Sequence, residues 1–384
     1  MSKRILIIAG EASGDKHAAE VVKALSAMSP GIVIEGIAGS LMRQAGVTSL
    51  LNAEKIAVMG FIEVLKHFRI IYKAYQIIKA SLKTNRPDLV VLVDYPGFNL
   101  KIAQLAKSLN IPVLYYISPQ VWAWKKGRIK KIKECVDHMV VTFPFEVELY
   151  KKAGIPVTFA GSPLLEELPT EGSQVESREK FQWAKDEKVV GVLPGSRVIE
   201  IQRILPVMLK AVQRLHAKHP ELQFVLPVAN TLTHDYMRSF NVDNLPIHFV
   251  DDFYAAITVS NAVMSTSGTA TLETALLGVP LLVIYKMNPL TFQIIRRLIK
   301  IDKIGLCNIV AEAIVAKELI QHQATAETID AEMERLLYDE AYHQERKQQL
   351  SQLRGKLESQ HQASQKVAAL CVEMMNGSRG QAAG

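Results

Sequence analysis

One carboxylate at the end of an apolar run and two small-residue turns are the first places in this sequence where chemistry could occur. The run from Asp88 ends in Asp94-Tyr95-Pro96-Gly97-Phe98-Asn99. A carboxylate at the carboxyl end of a buried strand sits at a cleft mouth with its pKa open to tuning, which suits a general base. Equally, Asp94 could cap a helix starting near Phe98. The first apolar run empties into Gly10-Glu11-Ala12-Ser13-Gly14-Asp15. Glycines there permit a tight turn and close approach of a ligand, and a helix start offers free amides. A plain turn in which Ser13 or Asp15 caps the helix is the alternative. Glu11 and Asp15 make phosphate a poor guest, so a sugar or hydroxyl-bearing acceptor is expected, with Gly14, Asp15 and Asn99 at the cleft.

Phosphate chemistry belongs further along. Leu193-Pro194-Gly195-Ser196-Arg197 precedes a long helical pattern. Amides and dipole there can hold one set of diphosphate oxygens while the guanidinium takes another. Ser267-Gly268-Thr269-Ala270-Thr271-Leu272-Glu273 repeats the design, with Glu273 placed to reach a ribose diol if a nucleotide lies along the amides. Ordinary turn chemistry, with Ser267 as an N-cap, is the simpler reading of both. Ser118-Pro119-Gln120-Val121-Trp122-Ala123-Trp124 is followed by Lys125, Lys126, Arg128, Lys130, Lys131 and Lys133. It could bind nucleic acid, could wall a sugar or acyl chain with Gln120 and Trp122, or could be a solvated basic face. Val58, Met59, Phe61, Ile62, Val64, Leu65 and Phe68 are followed by Arg69, Lys73 and Lys79. That mixture fits a helix lying in an anionic membrane interface, or a core helix with a snorkelling basic edge. The ten histidines show no ligand spacing and the cysteines at 135, 307 and 371 form no pair, so no metal site and no disulfide framework is expected.

These residues need elements to hold them. Short apolar runs near 3–9, 32–37, 88–94, 111–117, 138–142 and 156–160, and again near 188–193, 222–227, 247–250, 262–265 and 280–285, alternate with helical segments. The expectation is an α/β protein of two Rossmann-like doubly wound domains, covering 1–165 and 186–330, with loops at the carboxyl strand ends facing one cleft. Strands should cease after about 310, and helices over 331–376 should return to the first domain, this chain's or a partner's. The 384 residues, 49% hydrophobic and 22% charged, suffice for two cores and exclude disordered and fibrous classes. A net charge of +7 implies an anionic partner without choosing one. No apolar stretch is long enough to span a membrane, and the unpaired cysteines suit a reducing cytoplasm.

Taken in order, Gly10 to Asp15, Ala57-Val58-Met59-Gly60, Asp94 to Asn99, Ser118 to Trp124, Leu193 to Arg197 and Ser267 to Glu273 closely resemble the lipid-A-disaccharide synthase family, from about residue 5 to 321. The resemblance implies an inverting glycosyltransferase of the GT-B type needing no metal or other cofactor, the UDP-sugar being a substrate. It would join UDP-2,3-diacylglucosamine to 2,3-diacylglucosamine 1-phosphate through a β(1→6) linkage, releasing UDP, as a peripheral protein on the cytoplasmic face of the inner membrane. By that resemblance Asp94 is the general base, grouped with Glu11 and Ser13. Gly195, Ser196, Arg197, Ser267, Gly268, Thr269, Ala270 and Glu273 fall in the UDP-binding half, and Asn308, Glu318 and Gln321 look like further donor-site positions. Two departures stand out: Gly161-Ser162-Pro163 where the family usually has Gly-His-Pro, and Cys307 where Pro is expected. A homodimer is expected, and nucleic acid is not. The rivals are another UDP-N-acetylglucosamine transferase or 2-epimerase of the same architecture, a nucleic-acid-binding protein, and a non-catalytic lipid-surface scaffold.

Overall fold

Runs of four to six apolar residues bounded by polar, glycine or proline residues become parallel strands when helices cover both faces. The computed structural model describes residues 3–56, 64–119, 121, 127–169, 173–181, 183–184, 187–240, 242, 245–288, 292–293, 302–358 and 362–380. The chain divides into two units, one formed by Met1–Glu166 with Leu357–Gly384, the other by Glu167–Lys356.

Unit 1 is built on a seven-stranded sheet in the order β3-β2-β1-β4-β5-β6-β7. Its strands are β1 Arg4–Ala9, β2 Val33–Ala38, β3 Thr48–Asn52, β4 Leu89–Val93, β5 Val113–Tyr116, β6 His138–Val141 and β7 Val157–Phe159. Every pairing is parallel. Alternation along β1 and β4 sends Ile5, Ile7, Val91 and Val93 to one face, where they meet Val22 and Leu25 of the helix Ala12–Met28 and Val367 and Cys371 of the final helix, Ala363–Gly380. Leu6, Ile8, Val90 and Leu92 take the other face, against Ile78 and Leu82 of the helix Val64–Thr84 and Ile102 and Ala106 of the helix Pro96–Ser108.

Unit 2 repeats the plan with six parallel strands in the order β10-β9-β8-β11-β12-β13. They are β8 Val189–Leu193, β9 Gln223–Pro227, β10 Ile247–Val250, β11 Ala262–Thr266, β12 Leu281–Tyr285 and β13 Lys317–Ile320. The helix Val198–Lys218 lays Ile201, Leu205, Met208 and Val212 on Val190 and Val192. Two doubly wound Rossmann-like domains are therefore present, as the strand spacing predicts. Each has a point where strand order reverses: between β1 and β4 in unit 1, and between β8 and β11 in unit 2. Loops leaving those strands carry the ligand sites of such folds.

Three details differ from the sequence expectation. β3 and β13 are unannounced by apolar runs, because each is an edge strand with only one buried or several half-buried residues; strands therefore continue beyond 310. The stretch left between the two expected domains, 166–185, is partly built into unit 2: Arg178, on the helix Ser173–Lys180, is buried and donates to the carbonyls of Ala184, Glu187 and Val259. The helices of 331–376 do not travel together. Ala326–Tyr338 adds Ile329, Met333 and Leu336 to the unit 2 core, while only the final helix joins unit 1.

Candidate active site

Asp94 leaves β4 directly beside the end of β1, where Ala9 pairs with Val93. Asp94 and Tyr95 both adopt left-handed backbone conformations, with φ of 48° and 45°. Such residues cost of order 1–3 kcal/mol each and persist only where their surroundings hold them. Here the holding is explicit. Asn99, fully buried, donates its Nδ2 to the carbonyls of Val93 at 3.1 Å and Asp94 at 2.8 Å. The buried Tyr115 hydroxyl donates to the Asp94 carbonyl at 2.5 Å, and the Asp94 amide donates to Tyr116. The helix that follows takes Tyr95 as its N-cap without a side-chain bond, so the Asp94 carboxylate is not a helix cap. Burial first, and the negative charge of Glu11 second, push the Asp94 carboxyl up to about 6, while the Tyr95 amide and His17 pull the other way.

The Gly10 turn serves this corner. A Cβ on Gly10 would lie 2.4 Å from the Tyr95 ring, so only glycine admits the ring there. Glu11 and Ser13 are exposed at the start of the first helix, and Glu11 as N-cap makes no side-chain cap bond. Gly14 is buried with room for a methyl group, its nearest neighbours being Ala9 and Val93 at 3.6 Å or more. Asp15 corrects the expectation of an acceptor ligand: it is 4% exposed and its carboxylate takes the amides of Leu41 at 2.9 Å and Met42 at 3.2 Å, capping the helix Ser40–Gln44. Ser118 is buried and bonded to the Tyr150 hydroxyl at 2.7 Å. Ser162, where the family usually has histidine, is buried in its turn.

In unit 2 the loops after β8 and β11 line a cavity of about 480 Å³ together with residues after β9 and β10. Gly195 has φ 112°, a left-handed conformation that favours glycine, and a Cβ there would crowd the Glu200 and Thr266 side chains. Arg197 is the N-cap of Val198–Lys218; its guanidinium, 74% exposed, pairs with Glu200 at 3.0 Å. The start of that helix lies against the cavity through Ser196, Arg197 and Glu200, and the Glu200 amide is bonded to the Arg197 carbonyl at 2.9 Å. Gly268, not Ser267, caps Thr269–Leu276, and the Ser267 hydroxyl instead donates to the Ile304 carbonyl at 2.7 Å. Nothing lies within 4 Å of where a Gly268 Cβ would stand, leaving this turn open. Thr269, Ala270 and Glu273 also line the cavity, and Glu273 accepts from the Tyr254 hydroxyl at 2.9 Å.

The three remaining donor-site candidates, Asn308, Glu318 and Gln321, are all engaged in hydrogen bonds within unit 2. Asn308 is fully buried: its Oδ1 takes the amides of Val315 and Ala316, and its Nδ2 donates to the Ala316 carbonyl and Glu318. Glu318 accepts from the amides of Ile304 and Gly305 at the start of the helix Leu306–Ala311. Their hydrogen bonds brace the 304–316 loop. Gln321 clasps the Met287 backbone and borders a separate depression of about 600 Å³ with Arg203 and Lys286.

Val58, Met59, Phe61, Ile62, Gln120 and Trp122 lie outside the described residues, as do the side chains of Leu65 and Phe68. Arg69, Tyr72 and Lys73 form an exposed edge of a helix whose Ala74, Ile78 and Leu82 are buried. Among the described residues no cluster of His, Cys, Asp and Glu is placed to hold a metal, and no helix is long and apolar enough to cross a membrane. Sequence reasoning missed Tyr115, Glu200 and Tyr254. A hydroxyl on a buried strand and a tyrosine just after the Asp252 cap carry no local sign of the partner each will meet.

The profile of the lipid-A-disaccharide synthetase family matches residues 5–372. A lipid-A-disaccharide synthase of Geobacter metallireducens is 45% identical over 380 residues, covering 98% of this chain and 99% of the relative. A UDP-GlcNAc 2-epimerase from Neisseria meningitidis bound to UDP-GlcNAc superposes with a TM-score of 0.65 at 14% identity, over 97% of this chain and 100% of that one. The glycotransferase of kitacinnamycin superposes with a TM-score of 0.64 at 15% identity, over 98% and 100%. These last two speak to the fold alone, which is of the GT-B type.

Proposed function

Because the chain belongs to the lipid-A-disaccharide synthase family, and is thus a glycosyltransferase that makes the lipid A disaccharide, we propose that Asp94 is its general base and that the unit 2 cavity holds UDP. The acceptor would be 2,3-diacylglucosamine 1-phosphate and the donor UDP-2,3-diacylglucosamine. Asp94 removes the proton of the acceptor's 6-hydroxyl as that oxygen attacks the anomeric carbon from the face opposite UDP. The new C–O bond forms as the bond to the diphosphate breaks, leaving a β linkage. Charge developing on the departing diphosphate meets the amides at the start of Val198–Lys218, the open turn at Gly268 and the Arg197 guanidinium, and no metal is required. Among the described residues Arg197 is held by an ion pair with Glu200, which contributes little and yields to a more highly charged anion. Glu273 accepts from the ribose hydroxyls. Glu11 tunes Asp94 by its charge.

The observation that carries this reading is a carboxylate with its pKa near 6, at the strand-order reversal of unit 1, that is not used as a helix cap. General-base contributions run to about 10²- to 10⁴-fold. Asp94→Asn should therefore lose about that much turnover in an assay that detects UDP and disaccharide, with UDP affinity retained; near-normal turnover would remove the assignment. The same assay run with EDTA should show full activity.

The substrates' acyl chains call for a membrane surface, and the exposed Arg69, Tyr72 and Lys73 support peripheral binding to anionic lipid at the cytoplasmic face. Each such cation contributes about 1 kcal/mol near an anionic bilayer. Arg69→Glu with Lys73→Glu should weaken binding to anionic vesicles by at least about tenfold at low salt. Unchanged vesicle binding would assign these residues to a solvated edge.

A further inference from the structure

Glu273 lines the unit 2 cavity from the first turns of Thr269–Leu276, and it does not stand alone. Behind it lies Tyr254, half-buried on the helix Phe253–Val259, whose neighbour Phe253 faces the cavity. The Tyr254 hydroxyl donates to Oε1 of Glu273 at 2.9 Å. The last torsion of a glutamate is broad, so its carboxylate swings unless something fixes one oxygen. A hydroxyl anchored through a ring on another helix does so.

We propose that Tyr254 is a positioning residue for nucleotide recognition, fixing the Glu273 carboxylate so that the cavity prefers a ribonucleoside diphosphate to its 2′-deoxy counterpart. The inference rests on the reading of Glu273 as the ribose partner. A site built to hydrogen-bond a hydroxyl discriminates because the analogue lacking it leaves a buried polar group unpaired. Discrimination narrows when one of the bonds that hold that group is removed. Burial and the Glu273 charge both raise the Tyr254 hydroxyl well above its ordinary pKa, so it remains a donor throughout the neutral range.

Calorimetry on the full chain with UDP and 2′-deoxy-UDP tests this. The unaltered protein should bind UDP about tenfold or more tightly than 2′-deoxy-UDP. Tyr254→Phe should weaken UDP about 3- to 10-fold and leave 2′-deoxy-UDP within about twofold, narrowing the preference. Glu273→Gln should narrow it as well. A preference that survives Tyr254→Phe but disappears in Glu273→Gln overturns the role of Tyr254 alone. No preference in the unaltered protein, or one that survives Glu273→Gln, overturns the ribose reading and this inference with it.

Discussion

A carboxyl held near pH 6 by burial and by a neighbouring charge titrates where the second cause can be removed by itself. Catalysis by Asp94 needs the ionised form, so kcat/KM should rise with pH through about 6. Glu11→Gln removes a charge that disfavours ionisation, which lowers the Asp94 pKa. The acid limb of kcat/KM should move to lower pH, so that the variant keeps a larger fraction of its maximum at pH 5 than the parent. An unmoved limb with a lower plateau would mean that Glu11 touches substrate instead. The position of Asp94 at the close of a strand was legible in the sequence because it ends an apolar run, whereas whether it capped the following helix was not. Asp15 was misjudged for an equally physical reason: the amides it caps belong to Leu41 and Met42, 26 and 27 residues on, and only the paired β1 and β2 bring that turn to it.

At the scale of elements, edge strands and loop braces escape periodicity. β3 and β13 lie at the ends of their sheets, where one neighbour and partial burial suffice, so no apolar run marks them. Asn308 shows the corresponding limit for polar residues. Its four bonds tie the helix Leu306–Ala311 to the segment that leads into β13, and nothing in a six-residue window distinguishes this from a ligand contact. Leaving the Val315 and Ala316 amides without their acceptor costs about 1–3 kcal/mol per group. Asn308→Ala should therefore lower the melting temperature of unit 2 by several degrees, while UDP affinity measured well below the melt changes less than about threefold. A large affinity loss in a stably folded variant would return Asn308 to the donor site.

Across the whole molecule, the alternation of apolar strands and helices made the two-unit plan readable, and the reversal of strand order twice, at β1/β4 and β8/β11, explains why the candidate residues gather at two places. The proposal divides labour between them. Saturating UDP should slow amide exchange over 193–200 and 266–273 and leave 89–99 unaffected, as expected for a ligand that stabilises only what it binds. Protection spread evenly over both units would contradict that division. The return of the final helix to the first unit was expected; what local pattern could not foretell was where that return begins, since the chain up to Lys356 stays with unit 2.

That last point bears on how the protein is made. The final helix supplies Val367, Cys371 and Met375 to the face shared with β1 and the helix Ala12–Met28, so the first unit leaves the ribosome with an apolar wall still bare. The intervening segment, Glu167–Lys356, must be synthesised before the cover emerges; at 5–20 residues per second that is a wait of roughly 10–40 s. The unit translated second is thus free to mature first, and a nascent chain halted before residue 363 should be a substrate for chaperones and proteases even though most of its sequence is already present.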